Sequence, residues 1–144
     1  MSAEENKAIA RRIMNEAMND GRLEVADELI ASDWVDHDPA NPPDFAGGPD
    51  AFKQLVSLYR GAFPDLRMTI EDMVAEGDRV VTRWTARGTH EGELMGVPPS
   101  GKQVTVTGIG IDRIAGGKVA ESWGSWDTLG LLTQVGAIPE LAQA

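Results

Sequence analysis

The sequence has no cysteine among its 144 residues. Disulfides, thiolate nucleophiles and cysteine metal centres are therefore excluded. It also has no apolar run of about eighteen residues, so no membrane-spanning helix is expected. The opening residues, MSAEENKAIA, lack a basic patch followed by an apolar stretch and do not read as a secretion signal, which makes cytoplasmic residence the expectation. Positive charge is scarce, with 13 Lys and Arg against 23 Asp and Glu and a net charge of −10. Binding to a phosphate backbone needs a basic stripe, so neither nucleic acid nor an anionic membrane surface is expected as a partner. There are only two histidines, His37 and His90. Two imidazoles do not make a catalytic zinc site, which needs about three protein ligands in a recognisable arrangement. HExxH, Walker and GxSxG patterns are absent, and Gly96, Gly101, Gly116 and Gly117 form no nucleotide fingerprint. No metal and no cofactor are expected.

What is present divides into helices first and strands second. Ser2-x-x-Glu5 has the form of a capping box, and Ile9, Ile13, Met14, Ala17 and Met18 recur at helical spacing, so one helix is predicted over 2–20, ended by Asn19-Asp20-Gly21. A short helix follows over 23–31. Residues 32–49, SDWVDHDPANPPDFAGGP, read as an ordered loop because they carry aromatic side chains among prolines and glycines. A third helix is predicted over 49–63, with Pro64 ending it. Strands are predicted over 66–75, 79–89, 103–114 and 118–126, the last two joined by a tight turn at Ala115-Gly116-Gly117. A short helix over 128–135 stops at Gly136. This order predicts an α+β fold with an antiparallel sheet in one domain spanning 1–144.

Side chains alternate along a strand. One face of 103–114 carries Val104, Val106, Gly108, Gly110 and Asp112, and one face of 118–126 carries Ala120, Ser122, Gly124 and Trp126. Glycine inside a strand marks a bulge or a close approach. If Gly108, Gly110, Ser122 and Gly124 share a face, that face is hollow and a curved sheet closed by helices makes a pocket.

With these elements in view, the chain resembles the SnoaL-like polyketide cyclases and "ester cyclases" of the NTF2-like superfamily, whose fold is a cone of N-terminal helices on a curved sheet. The stretches that carry the resemblance are AFPDLRMTIEDMVAEGDRVVTRWTARGTHEGELMGVPPSGKQV and GKVAESWGSWDTLGLLTQVG, together with the DHDP loop and the first helix. The resemblance implies a homodimer, a deep apolar pocket and no metal. Family members close a ring of an aromatic polyketide ester by an intramolecular aldol reaction, in which an acidic side chain takes a proton next to a carbonyl. Aligned on the last two strands, the family's catalytic aspartate falls on Gly124 and its assisting histidine on Gly110.

The residues left to carry acid–base chemistry on a small hydrophobic carbonyl compound are His37, in WVDHDP, His90, in RGTHEGELMG, and Asp127 at the end of the last strand. Each also has a plainer reading. Asp127 suits the N-cap of the final helix, His90 a strand-end backbone contact, His37 an exposed loop. Asp112, beside the Gly-Gly turn, is expected to face solvent, and Glu121 to pair with a surface cation. Four tryptophans against one tyrosine suggest aromatic pocket walls, with Trp34 or Trp84 expected to reach the pocket. Trp34, Phe63, Trp84, Met95 and Trp123, with Gly108, Gly110 and Gly124, form the expected ligand-binding set. Three alternatives stay open: a non-catalytic module that binds a small hydrophobic ligand, a dimeric interaction or scaffold domain with a vestigial cavity, and a cofactor-free hydroxylase or epoxide hydrolase. A hydrolase would need an Asp-Arg-Asp set, and Asp112-Arg113 with Asp127 offers one only superficially, because neighbouring strand residues point to opposite faces.

Overall fold

The structure is a computed structural model, and it describes residues 2–42 and 47–139. Part of the expected loop, residues 43–46, lies outside the described residues. Helix α1 (Ala3–Arg12) starts at the expected capping box, with the Glu5 amide donating to Ser2 Oγ and the Ser2 amide donating to the Glu5 carboxylate. It does not continue as a regular α-helix to residue 20. From Ile13 to Asn19 the chain widens into a π-helix. The buried Asn19 accounts for the local geometry: its amide donates to the Met68 carbonyl (2.9 Å) and accepts from the Met68 amide (2.7 Å), standing in for a missing neighbour strand at the sheet edge. Arg60 caps the end of this segment by donating to the carbonyls of Met18 and Asn19.

Helix α2 (Glu24–Leu29) is shorter than expected, and at Ile30 the chain is already extended. Strand β1 (Ile30–Asp36) occupies the first part of the stretch read as a loop. Helix α3 (Pro49–Ala62) buries Leu55 and Val56. Strands β2 (Arg67–Glu76), β3 (Arg79–Thr89), β4 (Gln103–Ala115) and β5 (Lys118–Trp126) and helix α4 (Thr128–Gln134) lie within a residue or so of their predicted positions. The sheet order is β1-β5-β4-β3-β2. All pairs are antiparallel except β1 with β5, which is parallel, so the sheet is mixed rather than purely antiparallel.

The two faces separate as the alternation requires. Val104, Val106 and Gly108 of β4 are buried while Thr105, Thr107 and Ile109 are exposed. A register shift between Arg113 and Ile114 lets Ile114 and Val119 both turn inward. Two clusters fill the inner side. One joins α1, α2, α3 and β1 around Ile30, Trp34, Val56 and Val80. The other joins the end of α3 to β3, β4 and α4 around Phe63, Val106 and Leu131. No helix among the described residues is long and apolar enough to cross a membrane.

Candidate functional site

A cavity of about 140 Å³ lies on the inner face of the sheet, next to the second cluster. Trp84, Ala86, Val104 and Val106 line it from the sheet, Tyr59 and Phe63 from the end of α3, and Met18 from the π-helical segment. Trp126 and Leu131 line it from the C-terminal side. Among so many carbon surfaces the polar residues matter: Asp38, Asn41, Tyr59 and Arg87 are also part of the lining.

Asp38 and Asn41 belong to a tight turn that follows β1. The Asp38 amide donates to Asp36 Oδ1 (3.1 Å), the Ala40 amide to Asp38 Oδ1 (2.9 Å), and the Asn41 amide to the Asp38 carbonyl (3.2 Å). Aspartate favours such turns because its short carboxylate reaches backbone N–H groups two residues on. Asp38 Oδ1 is thus engaged, while Oδ2 faces β5. A Cβ built on Gly124 would lie 2.9 Å from Asp38 Oδ2. The space in front of the strand glycine is therefore filled by a carboxylate delivered from another element. Burial pushes the Asp38 carboxyl above its usual 3.8, and the neighbouring Asp36 charge pushes it the same way, against the lowering contact from the Ala40 amide.

Beside Asp38, the Tyr59 hydroxyl donates to Asn41 Oδ1 (2.6 Å), and Asn41 Nδ2 donates to Asp36 Oδ2. The Tyr59 ring meets Trp126 edge-on, with centroids 6.2 Å apart. Burial, then the charges of Asp38 and Asp36, raise the phenol above its ordinary range, so Tyr59 keeps its proton.

A second buried chain runs alongside. Trp34 Nε1 donates to Ser122 Oγ (3.0 Å), which donates to Asp112 Oδ1 (2.7 Å). Asp112 does not face solvent as expected. It keeps some accessible surface, yet its carboxyl is hemmed in by protein. Burial pushes it up to about 6 despite the Ser122 hydroxyl, with the Asp36 charge adding to the rise.

The three residues expected to carry acid–base chemistry are not brought together. His37 lies on the outer face, its Nε2 2.7 Å from Glu121 and its ring stacked on Trp123 at 5.3 Å. Glu121 also accepts from Arg113, and these two contacts, His37 first, hold its carboxyl below the usual range. His90 is 1% exposed, packed on Phe63, with Nδ1 accepting from the Ser100 amide (3.2 Å) and lying 2.9 Å from Ser100 Oγ. It pins the loop between β3 and β4. Asp127 is the exposed N-cap of α4, accepting from the Gly130 amide (2.8 Å).

The expected ligand set divides. Phe63 and Trp84 line the cavity. Trp34 is buried in the other cluster, edge-on to Phe52. Trp123 stands on the outer face with Arg79 over its ring at 5.0 Å, and Met95 is an exposed turn residue with φ 53°. Gly108 is covered by Trp84 and Trp126, which a Cβ there would overlap. Gly110 faces open space beyond a carbonyl 3.5 Å away. Gly124 faces Asp38. Sequence reasoning passed over Asp38, Asn41 and Tyr59. The usable signal was DHDPAN, where an aspartate and an asparagine two and five residues after Asp36 suit a self-bonded turn.

Residues 8–135 match the family model "SnoaL-like polyketide cyclase". The chain belongs to this family. It is similar to nogalonic acid methyl ester cyclase of Streptomyces nogalater, with 32% identity over 125 residues covering 85% of this chain and 92% of that one. Aklanonic acid methyl ester cyclase DnrD of Streptomyces peucetius is 28% identical over 127 residues, covering 87% of each chain. Among solved structures, TsrD from Streptomyces laurentii superposes with a TM-score of 0.87 at 27% identity, covering 96% of this chain and 99% of its own. This SnoaL-like chain therefore has the fold of its relatives. Its cavity carries a carboxylate delivered by the turn after β1, in front of Gly124 on β5.

Proposed function

We propose that the protein is a cofactor-independent ester cyclase that closes a ring in an aromatic polyketide ester by an intramolecular aldol reaction. One observation carries this reading: the free oxygen of Asp38 stands in the cavity at the place Gly124 leaves empty. Asp38 Oδ2 takes the proton from the carbon next to a ketone, the electron pair moves onto the ketone oxygen, and the resulting enolate carbon attacks a second carbonyl of the same molecule. The new alkoxide recovers the proton from the Asp38 carboxyl, so the enzyme ends as it began. Trp84, Trp126 and Phe63 supply flat walls for a planar ring system. A base whose value is raised toward the working pH suits this task. The match to nogalonic and aklanonic acid methyl ester cyclases supports the substrate class.

The test is turnover of nogalonic and aklanonic acid methyl esters by the wild type and by Asp38→Asn. The reading expects ring closure by the wild type and a fall of at least about a hundredfold in kcat for the variant, with binding retained. Binding without turnover by the wild type would favour the ligand-binding module instead. We also propose a homodimer formed through the outer face of the sheet, where Val35 and Ile109 are each 49% exposed.

A further inference from the structure

The hydrogen bonds around Asn41 run in one direction. A carboxylate carries no hydrogen, so Asp36 Oδ2 can only accept, and the Asn41 atom that faces it must be the amide nitrogen. That orientation turns Asn41 Oδ1 toward Tyr59, and a carbonyl oxygen likewise only accepts. The single hydrogen of the Tyr59 hydroxyl is thereby committed to Asn41, at 2.6 Å. A phenol carries only one hydrogen, so no second donor is available. What the hydroxyl retains is lone pairs, and both Tyr59 and Asn41 form part of the cavity wall.

We propose that Tyr59 is a specificity-determining residue that accepts a hydrogen bond from a hydroxyl of the ligand, a phenol or enol, and that Asp36 sets this polarity through Asn41. The proposal rests on the cavity being the ligand site, as in the reading above. It selects within the substrate class. A ring bearing a free hydroxyl at the Tyr59 end is favoured over the same ring with an ether or ketone there, because an ether oxygen would face lone pairs with no hydrogen between them. Asp38 Oδ2 is another acceptor on the cavity wall, so the test must separate the two.

Calorimetric titration with 2-naphthol and with 2-methoxynaphthalene does this without any turnover. The wild type is expected to bind 2-naphthol roughly two- to tenfold more tightly than the ether, the usual weight of one neutral hydrogen bond. Tyr59→Phe should lose that preference while still binding both probes, and Asp38→Asn should keep it. In Asn41→Leu, which frees the Tyr59 hydrogen to donate, the gap should narrow through tighter binding of the ether. A preference retained in Tyr59→Phe but lost in Asp38→Asn would assign the acceptor to Asp38 and overturn the proposal. Equal binding of both probes by the wild type would overturn it while leaving the ligand pocket intact. Failure to bind either probe would overturn the pocket reading and the proposal together.

Discussion

Asp38 and Asp112 are both carboxyls that burial lifts above the ordinary aspartate value, but the consequences differ with their neighbours. Asp38 must be ionised to take a proton. The acid limb of kcat/KM is therefore expected above the usual 3.8, and activity should rise with pH through it. Asp36 contributes to that rise by like-charge repulsion, so Asp36→Asn should move the limb to lower pH in a pH–rate profile. Asp112 is not among the residues lining the cavity described above and bears on stability instead. A carboxyl with a raised folded value binds protons on folding, so its contribution is fully present below 3.8 and is lost as pH rises through about 6. Asp112→Asn removes this dependence. Urea unfolding should find the variant gaining relative to the wild type on going from about pH 4.5 to about pH 7.5, the direction set by linkage. Neither acid was legible beforehand. Asp112 looks solvent-bound beside a Gly-Gly turn, and the Ser122 hydroxyl that reaches it, itself held by Trp34, arrives from other strands.

Among the elements, β4 and β5 were readable from the Val104–Thr107 alternation and the Gly-Gly turn between them, and the hollow face at Gly108, Gly110 and Gly124 was visible in the alternation of side chains. What fills each hollow was not visible, since the filling comes from residues far away in the chain. Gly108 accommodates the Trp84 indole and the Trp126 Cβ, so Gly108→Ala should overpack the sheet and cost about 1–3 kcal/mol in chemical denaturation. At Gly124 the obstruction is the end of one flexible carboxylate. Gly124→Ala should leave the melting temperature almost unchanged while displacing Asp38 Oδ2 and lowering turnover by up to about a hundredfold, measured as kcat on the same esters. The π-helical segment and β1 escaped sequence reading for physical reasons. The widening depends on Asn19 pairing with the β2 edge. Strand β1 alternates too weakly, with Asp33 and Asp36 amid its apolar positions, to announce itself.

At the scale of the molecule, the fold was legible almost throughout, because helix caps, turn glycines and strand alternation all agreed. The site was legible only in outline, as a hollow lined by aromatics. The outer face, with Val35 and Ile109 exposed, should be covered in the proposed homodimer. Light scattering on a sizing column is expected to give about twice the 15.5 kDa chain mass, and Ile109→Glu to shift it toward the monomer.

The parallel pairing of β1 with β5 also fixes an order of events. Trp34 meets Ser122 across 88 residues of sequence, and the His37 amide is held by the Ser122 carbonyl at 2.8 Å. Until residues 118–126 exist and have paired with β4, β1 has no sheet edge to join, and the turn bearing Asp38 has nothing to fasten against. Contacts of such long range form late and slowly, because a large loop must close before they repay its entropy. During folding β1 is therefore the last strand of this sheet to be placed. Asp38 takes its place in the cavity only after residues 118–126 have joined the sheet.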